Sequence, residues 1–509
     1  MMNSCKVFHK FLSNQIIHRF KHYDVIISGG GVVGLTMASA LANNPLLIDK
    51  KIILLERGKD MEQSNISYKS PVYAITIRSK ELFKKIGAWN IIKKNRFKEV
   101  QRMQIWDSFS EANLVFESND MMSAIIYIIE QDIIISALKQ TLSSPLNKNF
   151  ELKYESDINQ YAYPNNKNMD EVEVHLSNGD ILKTQLLIGS DGYNSLIRKT
   201  KKAPCFEWDY EQAAIIATLN LSTFDSQKYG DEETTMSQSQ ENMVAWQKFT
   251  PHGVVALLPL NSTQSSLVWS VPHLHGHDNK LMHMNEEMFV DELNKTLWNA
   301  NIENERILKL ESWMDKLLDV LPFENIKKRR INTYKQFPPR ITSIQEGSRM
   351  KIPLKFMFAS RFVWPRVALI GDACHRVHPL AGQGLNLGLG DVECLQRILA
   401  DSLCSTCNIG SHAQLLRYQT ERLRHTVPII TAINVINLLY SKTYKSSFDD
   451  LSHTGLPAMS AITRTLGLQM VDSSQYIKRI SYFCQLKYTI HACGTEKMPN
   501  LLLYHIGAS

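Results

Sequence analysis

The chain has 509 residues, 44% hydrophobic and 21% charged, the balance of an ordinary globular protein long enough for two or more domains. Lys and Arg number 57 against 50 Asp and Glu, and four of those cations (Lys6, Lys10, Arg19 and Lys21) precede the first acid, Asp24. A net +7 gathered partly at one end gives no support to nucleic-acid binding, and no apolar run reaches the length of a membrane span.

Residues 1–22 lack acids and interleave Phe8, Phe11, Leu12, Ile16, Ile17 and Phe20 with basic, Ser, Asn and Gln residues. That is the composition of a mitochondrial transit peptide rather than a secretory signal; a frayed basic terminus is the alternative. Tyr23–Ser28 then reads as a short buried strand and Val32–Ala42 as a helix, with Gly29-Gly30-Gly31-Val32-Val33-Gly34 between them. In such a run Gly29 makes the tight turn, Gly31 admits a pyrophosphate, and Gly34 lets helix pack on strand. The pyrophosphate lies against the free N–H groups of the helix start. Lys51–Leu55 is the next strand, and Glu56 at its end is placed for a ribose hydroxyl. Arg57 suits an adenine face or a solvated surface equally well.

Further along, Ile125–Ile129 reads as a strand and Gln131 sits at its junction with a helix, a candidate cofactor contact or an exposed helix-start residue. Asn178-Gly179 is a hairpin signal. Leu186–Gly189 is a buried strand that runs into Ser190-Asp191-Gly192-Tyr193-Asn194-Ser195, with Arg198 three residues on. Asp191 is expected to add a polar contact near the pyrophosphate or the ring of a cofactor. Alternating segments such as Gln212–Ser222 and Val254–Leu260 predict a second sheet, and the polar stretch Ser222–Asn242 a mobile loop within it.

The most informative stretch follows. Arg366–Ile370 reads as a strand that delivers Asp372, and a loop containing Pro379 and Gly382 turns into a helix beginning Gly384, Leu385, Asn386. The carboxylate suits a ribityl hydroxyl. The backbone N–H groups of Leu385 and Asn386, at the positive end of a helix, suit an electron-accepting ring. A nicotinamide enzyme has no use for a second site some 340 residues beyond the fingerprint, whereas FAD spans both.

Other features carry less. Eight cysteines show no disulfide framework, and Cys404-Ser405-Thr406-Cys407 lacks a second pair or a histidine pair for a metal. His375 and His378 have no third ligand at a suitable spacing and are read as shaping the cofactor loop; no metal is expected. Val427–Tyr440 predicts either an amphipathic interfacial helix or a buried helix packed on the cofactor domain.

The motifs Gly29–Gly34, Gly189–Arg198 and Gly371–Gly388, in this order, resemble those of the flavoprotein aromatic hydroxylases, and most closely the mitochondrial monooxygenases of ubiquinone biosynthesis. Ala245-Trp246-Gln247-Lys248-Phe249, Ala256–Leu260 and Leu267–Ser270 support the resemblance, which covers about residues 23–480. It implies an α/β fold: a discontinuous Rossmann-like FAD-binding domain (23–200 and 355–420) with an inserted mixed β-sheet substrate domain (205–350). A C-terminal helical region (421–485) and a tail without a family counterpart (486–509) follow. The implied reaction is hydroxylation of a polyprenylated 4-hydroxybenzoate by O2 through a flavin C4a-hydroperoxide, without a firm side-chain catalyst. Electrons would come from NADPH through ferredoxin reductase and ferredoxin. The implied setting is a complex of ubiquinone-biosynthesis proteins, peripheral to the matrix side of the mitochondrial inner membrane. One departure stands out: the family commonly has an arginine near the flavin where this chain has Pro71, which has no N–H to donate. Lys69 and Arg78 are the candidates to replace it. An isoprenoid-reducing FAD enzyme of the same fold and a non-catalytic FAD-retaining scaffold are the competing readings.

Overall fold

The computed structural model describes residues 20–60, 68, 71–108, 113–117, 123–164, 170–222, 242–250, 253–273, 276–298, 338–405 and 408–449. The strands of the first half are β1 (Phe20–Ser28), β2 (Ile52–Leu55), β3 (Val72–Thr76), β4 (Lys98–Val100), β5 (Arg102–Asp107), β6 (Asn113–Glu117), β7 (Ile126–Glu130), β8 (Phe150–Lys153), β9 (Ile158–Ala162), β10 (Val172–Leu176) and β11 (Ile181–Gly189). Those of the second half are β12 (Cys205–Leu221), β13 (Val244–Thr250), β14 (Gly253–Pro259), β15 (Gln264–Pro272), β16 (Ile341–Ile344), β17 (Met350–Ala359), β18 (Val363–Trp364), β19 (Val367–Leu369) and β20 (His375–Arg376). The helices are α1 (Val32–Ala42), α2 (Ile77–Lys85), α3 (Ala88–Lys94), α4 (Gln131–Leu142), α5 (Leu196–Thr200), α6 (His277–His283), α7 (Glu286–Trp298), α8 (Gly384–Cys404) and α9 (His412–Asp449).

An eight-stranded sheet has the central order β18-β19-β11-β1-β2-β8, in which β19, β11, β1, β2 and β8 run parallel. Val25, Ile26, Ile27, Ile53, Leu54, Leu186, Leu187 and Ile188 are fully buried, as continuous apolar strands covered on both faces must be. Helices α1, α4 and α8 pack together on it. β10 and β11 form the hairpin that Asn178-Gly179 predicts, with Gly179 at φ +88°. A second, nine-stranded sheet has the order β20-β17-β12-β15-β14-β13-β5-β6, with β16 on β12. One of its faces packs on α7 through Trp106, Trp246, Trp269, Phe289 and Leu293. A three-stranded sheet, β3-β7-β4, joins the two.

The boundaries differ from the sequence expectation in four places. β1 starts at Phe20, three residues early, because Phe20–His22 pair with Ile181–Lys183. β5 and β6 leave the expected cofactor domain and join the second sheet, β5 running parallel to β13. β17 extends that sheet to Ala359, past the expected boundary at 355. α9 crosses the expected boundary at 420 without a break. Arg366 also stands outside its predicted strand, with φ +63°. The loop expected at Ser222–Asn242 falls on residues 223–241, outside the described residues, as do Lys69, Cys407 and the tail.

The segment Val427–Tyr440 lies within α9 and is partly buried against the second sheet. Ile430 and Ile433 are buried, and Asn434 and Asn437 accept hydrogen bonds from Tyr210 Oη (2.6 Å) and Gln212 Nε2 (3.5 Å). Val427, Val435, Ile436 and Leu438 face outward. Among the described residues no helix is long and apolar enough to cross a membrane.

Candidate functional site

Every predicted motif ends at the same edge of the eight-stranded sheet. Gly29 follows β1, Glu56 follows β2, Asp191 follows β11 and Gly371-Asp372 follows β19, so four adjacent parallel strands present their C-terminal ends together. The backbone ties them: Gly29 N–H donates to Leu55 O (2.9 Å), Ser190 N–H to Ser28 O (2.8 Å) and Ile370 N–H to Gly189 O (2.9 Å). β1 leads through α1 to β2 on one side, while β11 on its other side is reached only after β8, β9 and β10. The crevice where strand order so reverses is where open α/β sheets bind ligands.

The glycines have separable reasons. Gly29 has φ +107°, and a Cβ there would lie 2.4 Å from Ser190 O. A Cβ on Gly34 would lie 1.9 Å from Gly29 O, so this residue lets α1 close on its own loop. Gly31 is different: nothing lies within 4 Å of where its Cβ would be. It is also the residue preceding α1, whose start has no side-chain cap and no acid in its first turn. Open space beside uncapped N–H groups is what a pyrophosphate needs. Glu56 is held at the rim by Gly30 N–H (2.5 Å) and Gly58 N–H (2.7 Å), while Arg57 is exposed.

The second half of the site is built from distant segments that interlock. Val33 of α1 fills the space where a Cβ on Gly371 (3.1 Å) or Gly388 (2.8 Å) would go. Arg198 is buried and donates to Ala373 O (3.0 Å), so the Ser190–Ser195 motif braces the Asp372 loop. The Asp372 side chain is open to the cleft yet walled by protein, and burial pushes its carboxyl up while His375 and Arg376 pull it down. Tyr73 of β3 is near it. Burial and the Asp372 charge push the Tyr73 phenol up to about 12, and its hydroxyl donates to Gln131 Oε1 (2.8 Å). Tyr73 was not singled out by sequence, because only tertiary structure brings β3, α4 and the Asp372 loop together.

The loop before α8 is rigidly supported. Pro379 O accepts from Gly382 N–H (3.0 Å), Gly382 has φ +57°, and a Cβ there would meet the Ala74 side chain at 3.3 Å. α8 then begins at Gly384 without a side-chain cap or a first-turn acid, and with nothing within 4 Å of the Gly384 Cβ position. The N–H groups of Leu385 and Asn386 belong to this first turn. The Asn386 side chain serves another purpose: it accepts from Thr76 N–H (3.1 Å) and Ser79 Oγ (2.7 Å) and donates to Ala74 O (2.8 Å). It fixes the helix start to β3 and α2.

Beneath the loop lies a buried ionic cluster. Asp391 of α8 accepts from Gly371 N–H (2.9 Å), His375 Nε2 (2.7 Å) and Arg422 Nε of α9 (2.6 Å). Burial alone would raise the Asp391 carboxyl, but His375 and Arg422 hold it below the usual range. Cys374 lies beside them, so Cys374, His375 and Asp391 bring ligand-type atoms within 4.8 Å of one another, a constellation the sequence spacing did not reveal. The Arg422 cation, paired with Asp391 and also donating to Leu387 O, makes this an ion-pair network rather than a cation site. A charged residue on the buried face Leu387, Asp391, Cys394, Leu395, Ile398 was the available signal. His378 is buried too, its Nε2 donating to Gln212 Oε1 (2.8 Å) and its Nδ1 accepting from Leu380 N–H. Both histidines therefore shape the loop.

Two candidates are engaged elsewhere. Arg78 pairs with Glu393 (2.6 Å), so it does not stand in for the arginine missing at Pro71. Asp191 caps α5 through Leu196 N–H (2.8 Å), while its Oδ1 is buried without a partner. The cleft nevertheless fits FAD along its length: a rim carboxylate at Glu56, two uncapped helix starts, and Asp372 between them.

The FAD binding domain family matches residues 22–316 and 328–432. The chain is 38% identical over 462 residues to the ubiquinone biosynthesis monooxygenase COQ6, mitochondrial, of Danio rerio, covering 90% of this chain and 88% of that protein. With the Homo sapiens protein of the same name it shares 37% over 447 residues, 87% of this chain and 90% of that one. In structure it is similar to PqsL of Pseudomonas aeruginosa in complex with 2-aminobenzoylacetate, with a TM-score of 0.59, 16% identity, and coverage of 84% of this chain and 100% of that one. It is also similar to the p-nitrophenol 4-monooxygenase PnpA of Pseudomonas putida DLL-E4, with a TM-score of 0.58, 14% identity, and coverage of 91% and 97%. These two likenesses speak to the fold.

Proposed function

Since this chain belongs to the FAD-binding aromatic-hydroxylase family, we propose that it hydroxylates the ring of a polyprenylated 4-hydroxybenzoate in ubiquinone biosynthesis. It is an FAD-dependent monooxygenase, and the names of its relatives place them in mitochondria. The observation that carries the reading is the meeting of Gly31, Asp372 and the α8 start on one cleft although some 340 residues separate them in sequence.

Bound FAD supplies the activation of O2 for insertion into an electron-rich ring. The chain holds and shields that chemistry. The α1 start at Gly31 receives the pyrophosphate and Glu56 a ribose hydroxyl. Asp372 and Gln131, the latter fixed by Tyr73, hold the ribityl side, and Asp191 supports the strand end beside it. The N–H groups of Leu385 and Asn386, at the positive end of a 21-residue helix, would stabilise negative charge on a bound flavin ring. Pro379 and Gly382 set the loop that aims them. The second sheet would cover the bound ring and keep water from the reacting atoms. No side-chain acid or base is required, because the phenol already activates its own ring.

The same reading gives the chain ferredoxin, reduced by NADPH through its reductase, as electron donor. It also gives partners among other ubiquinone-biosynthesis proteins and a position peripheral to the matrix face of the inner membrane. The outward apolar face of α9 at Val427, Val435, Ile436 and Leu438 suits that contact. The test is reconstitution: NADPH, ferredoxin reductase and ferredoxin should bleach the bound FAD anaerobically, and air plus a short-prenyl 4-hydroxybenzoate should then yield the ring-hydroxylated product. Bleaching by NADPH alone would remove ferredoxin from the account. Reoxidation without ring product would remove the substrate.

A further inference from the structure

Among the described residues, one row of the second sheet is only half-covered. Ile105, Gln247, Ala256 and Val268 lie directly opposite one another on β5, β13, β14 and β15, and all four are half-buried in a sheet whose other central positions are mostly buried. Strand alternation fixes the face they share. Trp246 and Lys248, the neighbours of Gln247, point the other way: Trp246 packs in the α7 core, and Lys248 Nζ donates to Leu297 O. Ala245 and Phe249, on the same face as Gln247, pack toward the cofactor domain. Ala245 joins a cluster with Val72 and Ala74, and Phe249 joins Val254, Ile105 and Leu380. Leu380 belongs to the loop before α8, and Ala74 touches the Gly382 position of that loop. The half-covered row therefore bridges two contacts with the loop that aims the α8 start.

Gln247 is the polar member of this row. Among the described residues its amide has no hydrogen-bond partner, although apolar residues flank it on both strands. A half-buried amide without a protein partner on this face is open to a ligand, and one hydrogen bond there can orient a ring. Ala256 beside it leaves room for a flat ring. None of the four residues is charged, so the row suits a neutral hydroxyl better than a carboxylate, whose burial calls for a cation.

We propose that Gln247 is a specificity-determining residue that hydrogen-bonds the phenolic hydroxyl of the aromatic substrate and so sets which ring carbon faces the loop. This rests on the hydroxylase reading above and adds the residue that orients the ring. The test is a binding measurement. FAD-loaded wild type, Gln247→Leu and Gln247→Glu are titrated with a short-prenyl 4-hydroxybenzoate and with its 4-methoxy counterpart, following the flavin absorbance. One net hydrogen bond corresponds to a wild-type preference for the hydroxyl on the order of 10-fold, falling to within about 2-fold in Gln247→Leu. Gln247→Glu, whose carboxylate still accepts from a phenol, keeps the preference, and FAD content is unchanged throughout. A preserved preference in Gln247→Leu, or none in wild type, overturns the assignment. If Gln247→Leu cannot be loaded, loss of the preference in Gln247→Glu overturns it equally. Ring hydroxylation by wild type is scored separately, so a wild type that makes product while Gln247→Leu still discriminates refutes the residue and leaves the reaction standing.

Discussion

Acidification from pH 7.5 to 5.5 should weaken the fold in part through His378, the most deeply buried of the histidines whose pKa falls. Burial lowers its pKa from the ordinary 6.5 to about 3. Both ring nitrogens are committed in the neutral form, Nε2 donating to Gln212 and Nδ1 accepting from Leu380 N–H. A proton on Nδ1 would set two donors against each other. The unfolded chain takes up this proton below pH 6.5 and the folded chain does not until about pH 3, so stability falls as pH falls across that interval. One pH unit below the unfolded value corresponds to a loss of about 1.4 kcal/mol at pH 5.5 against almost none at pH 7.5. The Asp391 carboxyl does not contribute in this window, because it is depressed and its stabilisation is lost only in stronger acid. Chemical denaturation of wild type and His378→Gln at both pH values isolates the effect. The variant should lose about 1.4 kcal/mol less on acidification. Parallel losses would show that His378 is not held neutral by the fold.

Other variants separate folding from cofactor binding. Gly31→Val should fold but purify without FAD, because its side chain enters the open space reserved for the pyrophosphate; a yellow, stoichiometric Gly31→Val protein would contradict the site. Gly34→Val should fail to fold, since its Cβ would lie 1.9 Å from Gly29 O, and a soluble variant with wild-type melting would refute that packing. Asp391→Ala strands the buried Arg422 and should cost about 3–5 kcal/mol in denaturation. A change under about 1 kcal/mol would mean that the cluster is solvated. Residues 1–22 fused to a fluorescent reporter should direct it to mitochondria, and a diffuse cytosolic signal would remove the targeting reading.

What could be read in the sequence was local. β1, the fingerprint, α1 and β2 lie within 36 residues, and each glycine's role follows from the turn it occupies, so Val32–Ala42 coincides with α1. The start of α8 at Gly384 was legible for the same reason. Pairings between distant segments were not. β5 alternates like any strand and gives no hint that its partner is β13, some 140 residues later. Tyr73 looks like an ordinary strand aromatic until Gln131 and Asp372 arrive beside it. Asn386 shows how a residue can be rightly placed for a partly different reason: its position in the first turn was foreseen, while its side chain secures that turn to Thr76 and Ser79. Asp391 and Arg422, 31 residues apart on two helices, become partners only when α8 and α9 pack.

Oxygen labelling reaches the central claim most directly. Protein with reduced FAD, mixed with labelled O2 and a short-prenyl 4-hydroxybenzoate, should place one labelled atom on the ring beside the phenolic hydroxyl, with the second atom leaving as water. If the flavin reoxidises with substrate bound and the label appears only in hydrogen peroxide and water, the chain is not a monooxygenase of this ring.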